Sequence, residues 1–182
     1  MRAAHSDWGD NLLLFDHFGC GDTDELLSTI RYLATGLDCK VIFLDHVSMV
    51  IAAMDTDDER RSIDQLMTKL RSLVEETGTL LFLVSHVKRP MGKGHEDGAE
   101  ISLSHLRGSA AIAQLSDLVV GLERNQQAED DNDRNRTQIR VLKNRFNGKT
   151  GPCSKLLYVP DTGRLMEEQE ETPEDFEAEF VH

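Results

Sequence analysis

The chain has 182 residues, 33 acidic against 20 basic side chains, and a net charge of −13. That length suits one domain with a reasonable core, and that charge excludes a protein that soaks up nucleic acid through bulk positive charge. The charge is also uneven. Glu167, Glu168, Glu170, Glu171, Glu174, Asp175, Glu177 and Glu179 form a tail without a lysine or arginine, so the body ahead of it can still present a local basic rim.

Residues 11–16 (NLLLFD) form an apolar run suited to a buried strand, closed by the turn residues Gly19, Gly21 and Asp22. Asp22 then stands three residues before Glu25 as an N-cap acid, and Leu26, Leu27, Ile30, Leu33 and Ala34 share one face of the helix that follows. Gly36 supplies the stop. Residues 41–44 (VIFL) read as a strand buried on both faces, with Asp45 at its C-terminal end. Residues 57–76 place Ile63, Leu66, Met67, Leu70, Leu73 and Val74 at steps of three and four, an amphipathic helix that ends at Gly78.

Residues 80–84 repeat the strand pattern and lead into Ser85 and His86. The polar stretch 87–100 has the length and composition of a functional loop. A short helix at 109–115, a strand at 118–122 and an acidic loop at 126–135 follow. Residues 138–143 and 155–159 read as two strands around a turn at 148–152. Strand and helix alternate through the first half, so the predicted class is α/β, a mostly parallel sheet flanked by helices with a C-terminal β-hairpin. Cys20, Cys39 and Cys153 lack disulfide or zinc spacing and read as reduced thiols. No segment approaches the roughly 20 apolar residues of a membrane span, so a soluble, cytoplasmic protein without a membrane partner is expected.

Several residues carry candidate chemistry. An acid just past a buried parallel strand, as Asp45 is, can hold the Mg²⁺ of a nucleotide, although the same placement also serves to cap a helix. His86 ends the next strand in the same way, which would bring both to one crevice. Gly148-Lys149-Thr150 imitates the end of a phosphate loop, but Lys143 stands where the first glycine is needed and no amphipathic helix follows, so the segment reads as a turn. The nearby Arg145 has the planar fork that suits a γ-phosphate; an exposed turn arginine is the plainer reading. Lys88, Arg89 and Lys93 make a clamp for a phosphodiester backbone, or a solvated basic loop.

Together these motifs closely resemble the helicase half of the primase-helicases of autographivirus-type phages, within the DnaB-like ring helicases. The resemblance runs from about residue 11 to 163. Its most specific stretches are IFLDHVSMV at 42–50, DERRSIDQLMTKL at 58–70, LRGSAAIAQLSD at 106–117, LERNQQ at 122–127 and KNRFNGKTG at 143–151. It implies a RecA-like P-loop NTPase core over residues 1–165, an acidic tail over 166–182, and a hexameric motor using Mg²⁺ with ATP or dTTP to move 5′ to 3′ on single-stranded DNA. By the same resemblance Asp45 is the Walker B acid for Mg²⁺, His86 the γ-phosphate sensor, and Arg145 an arginine finger for the next subunit. Gln114, Arg124 and Arg107 would belong to that interface. Ser48, Lys88, Arg89 and Lys93 would lie in the DNA-contacting loops, and the acidic tail would dock on the replicative DNA polymerase.

Three departures accompany the resemblance. Phe180 is followed by Val181 and His182, so the tail's aromatic is not terminal, and a simply solvating tail is the alternative. The family's phosphate loop and catalytic glutamate fall upstream of residue 11, so the core is expected to be partial, lacking the Walker A strand and loop. The chain alone is therefore expected to bind ATP poorly and to unwind nothing, as a truncated frame or one half of a split gene would. A non-catalytic RecA-like module that joins a helicase ring or tethers polymerase is the rival expectation.

Overall fold

The computed structural model describes residues 11–15, 23–52, 58–88, 94–106 and 110–168. Its first helix, α1 (Thr23–Thr35), buries Leu27 and Ile30 and packs Leu26, Leu33 and Ala34 against the same core, as their spacing predicts. It stops at Gly36, whose amide donates to the Tyr32 carbonyl at 2.7 Å. A β-carbon there would lie 2.8 Å from the Tyr32 ring, so the close approach requires glycine. Strand β1 (Val41–Leu44) and the short α2 (Val47–Ala52) follow.

Helix α3 (Glu59–Thr77) is the spine of the first half. Asp58 caps it by accepting the Arg61 amide at 3.0 Å, and Gly78 ends it in the left-handed conformation at φ 68°. Ile63, Leu66, Met67, Leu70 and Leu73 recur on one face and are buried. Each contributes roughly 1.5–3 kcal/mol relative to exposure. β2 (Leu80–Leu83) runs parallel to β1 in the register Leu44↔Leu83. The buried Thr79 hydroxyl ties the two strand starts together by donating to the carbonyls of Cys39 and Lys40. The core gathers Leu27 and Ile30 of α1, Ile42 of β1, Val47 of α2, the α3 face and Ile112 of α4 (Ala110–Leu115).

The second half is a four-stranded antiparallel sheet in sequential order: β3 (Leu118–Arg124), β4 (Arg136–Asn144), β5 (Gly151–Val159) and β6 (Arg164–Glu167). A short helix, α5 (Asp131–Asn135), joins β3 to β4. The turn between β4 and β5 is built by Asn144, whose side chain accepts the Phe146 amide at 3.0 Å, with Gly148 at φ 73°. Gly148-Lys149-Thr150 is therefore turn rather than phosphate loop, as its context predicts.

Four details differ from the sequence expectation. Residues 11–15 form no strand and are exposed, because an apolar run alone does not distinguish a strand from other structure; Asp16, Gly19, Gly21 and Asp22 lie outside the described residues. The α/β class stands, but the described sheet is not mostly parallel: one parallel pair accompanies the four-stranded antiparallel sheet, since short turns join β4, β5 and β6 as neighbours. Among the described residues β1 and β2 are covered on one face only, with Val41, Phe43, Leu80 and Phe82 exposed. Of the 87–100 stretch, the described parts are tethered: Val87 bridges Leu106, Asp97 bridges Asn125, and the Lys88 amide donates to His105 at 2.6 Å. Beyond β6, Glu168 pairs with Arg136 at 2.6 Å, and the remaining tail from 169 onward lies outside the described residues.

Candidate functional site

Parallel pairing of β1 with β2 aligns their C-terminal ends, because a shared direction puts both exits on one edge. The ladder continues one step beyond the strands: the Val84 amide donates to the Leu44 carbonyl and the Val47 amide to the Val84 carbonyl, each at 3.0 Å. Asp45 and His46 thus emerge beside Ser85 and His86. Asp45 and His86 are both exposed on this edge. The rings of His46 and His86 meet edge to face with centroids 4.3 Å apart. His46 was no candidate on sequence grounds, although it stands inside the strand motif. Its Nδ1 is buried with no hydrogen-bond partner among the described residues.

Asp45 offers an exposed carboxylate, the hard oxygen donor that Mg²⁺ prefers. Among the described residues no group of three or more histidines, cysteines or acids could hold a metal by itself. With Asp45 as the one carboxylate on this edge among the described residues, a cation held there would take its remaining ligands from water and phosphate oxygens. Ser48 follows on α2, half-buried, and Lys88 is exposed two residues past His86.

A second cluster forms where α3, α4 and the end of β4 meet. Arg145, first residue of the β4–β5 turn, donates through Nη1 to Asp117 Oδ1 at 3.0 Å and through Nη2 to the Gln114 carbonyl at 2.8 Å. The other Asp117 oxygen takes Arg71 Nη1 of α3 at 2.5 Å. Arg71 also reaches Glu75 one turn along. Lys143 Nζ donates to the carbonyls of Ala113, Gln114 and Ser116, at 2.7, 3.0 and 2.8 Å, capping the end of α4 with positive charge.

The hydrogen bond from Arg71, helped by the charges of Arg71 and Arg145, holds the Asp117 carboxyl below its ordinary range despite partial burial. The same bond raises Arg71. Burial, and then the nearby Arg145 charge, lowers Lys143.

The predicted residues therefore separate into two groups. Asp45, His86, Ser48 and Lys88 belong to the edge of the parallel pair; Arg145 and Gln114 belong to the α4–β4 junction, where Gln114 contributes its carbonyl and exposes its side chain. Arg124 ends β3 and is held inside the chain, donating to the Arg134 carbonyl at 2.5 Å and Asn135 Oδ1 at 3.1 Å, with Tyr158 beneath it at 6.0 Å. Arg107, Arg89 and Lys93 lie outside the described residues. Asp117 and Arg71 are additions that side-chain pairing across 46 positions made visible. No helix among the described residues is long and apolar enough to cross a membrane.

A family model described as the DnaB-like helicase C-terminal domain matches residues 4–167. The chain is 43% identical over 166 residues to the DNA helicase/primase of Enterobacteria phage T3, a match covering 87% of this chain and 29% of that protein. It is 28% identical over 128 residues to the replicative DNA helicase DnaB of Treponema pallidum (strain Nichols), across 70% of this chain and 26% of that one. The chain thus spans under a third of the length of these curated relatives. Among solved structures, a KaiC-like protein from Pyrococcus horikoshii OT3 superposes with a TM-score of 0.62 over 92% of this chain and 64% of its own, at 12% identity, a likeness of fold.

Proposed function

The chain belongs to the DnaB-like helicase C-terminal domain family, and from that premise we propose that it is the nucleotide-sensing part of a replicative helicase, coupling hydrolysis of ATP or dTTP to 5′-to-3′ movement on single-stranded DNA. The observation that supports this best is the shared edge on which Asp45 and His86 emerge from adjacent parallel strands, with the His46 and His86 rings 4.3 Å apart. An acid and a histidine so arranged can face one ligand.

In this reading Asp45 holds the hydration shell of the nucleotide's Mg²⁺, which when bound neutralises charge on the transferring phosphoryl group. His86 contacts the γ-phosphate, and its state passes to the segment that begins at Lys88. Arg145 serves the nucleotide of the next subunit in a hexameric ring, with Gln114, Arg124 and Arg107 bordering the joint. Ser48, Lys88, Arg89 and Lys93 track the DNA backbone, and the acidic residues 167–179 tether the replicative polymerase. The 182 residues contain no Gly-x-x-x-x-Gly-Lys-Ser/Thr sequence. In this reading the triphosphate cradle, and the base that activates water, are supplied from outside these residues.

The test is single-stranded-DNA-stimulated ATP hydrolysis by the chain alone and by the chain supplied with the helicase segment that carries that loop. Hydrolysis is expected only in the second case, with Arg145→Ala lowering kcat by about 10³-fold or more. Vigorous hydrolysis by the chain alone would refute the division of labour. Activity in the combined protein that survives both Asp45→Asn and Arg145→Ala would favour a non-catalytic module instead.

A further inference from the structure

We propose that Asp117 is the positioning residue of the Arg145 guanidinium, braced from behind by Arg71 of α3; this rests on the reading of Arg145 as the trans-acting arginine. An arginine on a turn is a poor catalytic instrument unless something fixes it. Arg145 is 48% exposed at its side chain, and a free arginine side chain carries about 2 kcal/mol of rotamer entropy. Asp117 restrains it at both ends: the Arg145 amide donates to the Asp117 carbonyl at 2.8 Å, while Nη1 meets Oδ1 of the same residue at 3.0 Å. The Gln114 carbonyl takes Nη2 and fixes the plane of the fork.

The carboxylate is itself fixed. Its second oxygen is committed to Arg71 at 2.5 Å, and Arg71 is anchored along α3 by Glu75 at 2.9 Å. Lys143, with its ammonium on three carbonyls at the end of α4, locks the same junction to β4. Three cations, Arg71, Arg145 and Lys143, therefore gather at this junction against two carboxylates, Asp117 and Glu75. Asp117 gives each arginine a single oxygen, so neither fork is engaged bidentately, and the junction keeps excess positive charge for an incoming phosphate. The helix that carries Arg71 also builds the core with its buried face, so the orientation of Arg145 is set from the same spine that packs against Ile42 of β1 and Leu81 and Leu83 of β2.

Two measurements test this. On the chain itself, the guanidinium resonances of Arg145, assigned by their loss in Arg145→Lys, are expected to show slowed rotation in the wild type and to collapse toward free-arginine behaviour in Asp117→Asn. Unchanged resonances would overturn the bracing whatever the enzyme does. In the combined ATPase, Asp117→Asn is expected to lower kcat about ten- to a hundredfold, the scale of a misplaced group, with KM for nucleotide within about twofold. In an Arg145→Ala background it should have no further effect. A full additional loss there would make Asp117 merely structural, and wild-type kcat in Asp117→Asn would also refute the proposal. If Arg145→Ala alone leaves hydrolysis intact, the trans-acting reading falls and takes the positioning role with it, while the resonances still report the contact. Should Asp117→Asn fail to fold, Arg71→Gln removes only the outer brace and carries both measurements; resonances and kcat both left at wild-type values there would overturn the proposal.

Discussion

At the scale of single residues, acid is the condition that tests this chain's ion pairs. Arg71 depresses the Asp117 carboxyl, Arg31 that of Glu76, and Arg136 that of Glu168, in each case first through a hydrogen bond. Their unfolded values are about 3.9 for aspartate and 4.3 for glutamate. Because the folded values lie lower, the unfolded chain binds more protons on acidification. The stability these pairs contribute is present above the unfolded values and is lost as pH falls through the depressed ones. Thermal melts should therefore change little between pH 7 and about 5 on this account and fall below about 4, modestly because solvent screens these partly exposed pairs. Asp117→Asn should melt lower at pH 7 and lose less below pH 4; an identical acid slope in both proteins would show that Asp117 takes no part. That Asp45 and His86 follow neighbouring strands and that Arg145 opens a turn is legible in the sequence, because each sits in a contiguous motif. The partnership of Arg71 with Asp117 is not, since neither residue's neighbours hint at a contact 46 positions away.

At the scale of elements, α3 was the most legible and β6 the least, for opposite physical reasons. Ile63, Leu66, Met67, Leu70 and Leu73 repeat at the helical period over about three turns, and Gly78 marks the stop. Arg164–Glu167 is a strand with every residue exposed, so neither burial nor alternation announces it; it exists because β5 offers an edge to pair with. Residues 11–15 fail in the other direction, apolar yet exposed and outside any strand. The contrast gives α3 a quantitative test. Leu70 is 2% exposed, and Leu70→Ala should cost about 2–5 kcal/mol through lost burial and a residual cavity. Gly78→Ala meets no atom within 4 Å, so its cost is the left-handed backbone alone, about 1–2 kcal/mol. Urea unfolding with an unchanged slope should rank the two in that order. An equal cost for both would mean that the α3 face is not the centre of the core.

At the scale of the whole molecule, two properties oppose each other: a net charge of −13, which keeps molecules apart, and a bare apolar sheet face, which draws them together. Alternation along β1 and β2 sends Ile42 inward and leaves Val41, Phe43, Leu80 and Phe82 outward, with Phe43 69% exposed. The Phe43 and Phe82 rings stack across the pair at 4.7 Å, so the outward residues form one patch rather than scattered contacts. Such a patch should bind an apolar dye in the native state, a response that compact folded proteins do not ordinarily give and that here would not signal a loosened core. The discriminating variant is Phe43→Thr with Phe82→Thr. Threonine keeps the strand preference, and the lost ring stacking costs only about 0.5–1.5 kcal/mol, so the fold should persist while dye fluorescence drops. Near-ultraviolet circular dichroism must stay native-like for the comparison to hold, and the wild type should show a cooperative melt. Dye binding that is undiminished in the double variant would place the responsible surface elsewhere, and binding that rises with loss of the cooperative melt would mean that the stacked pair holds the two strands together.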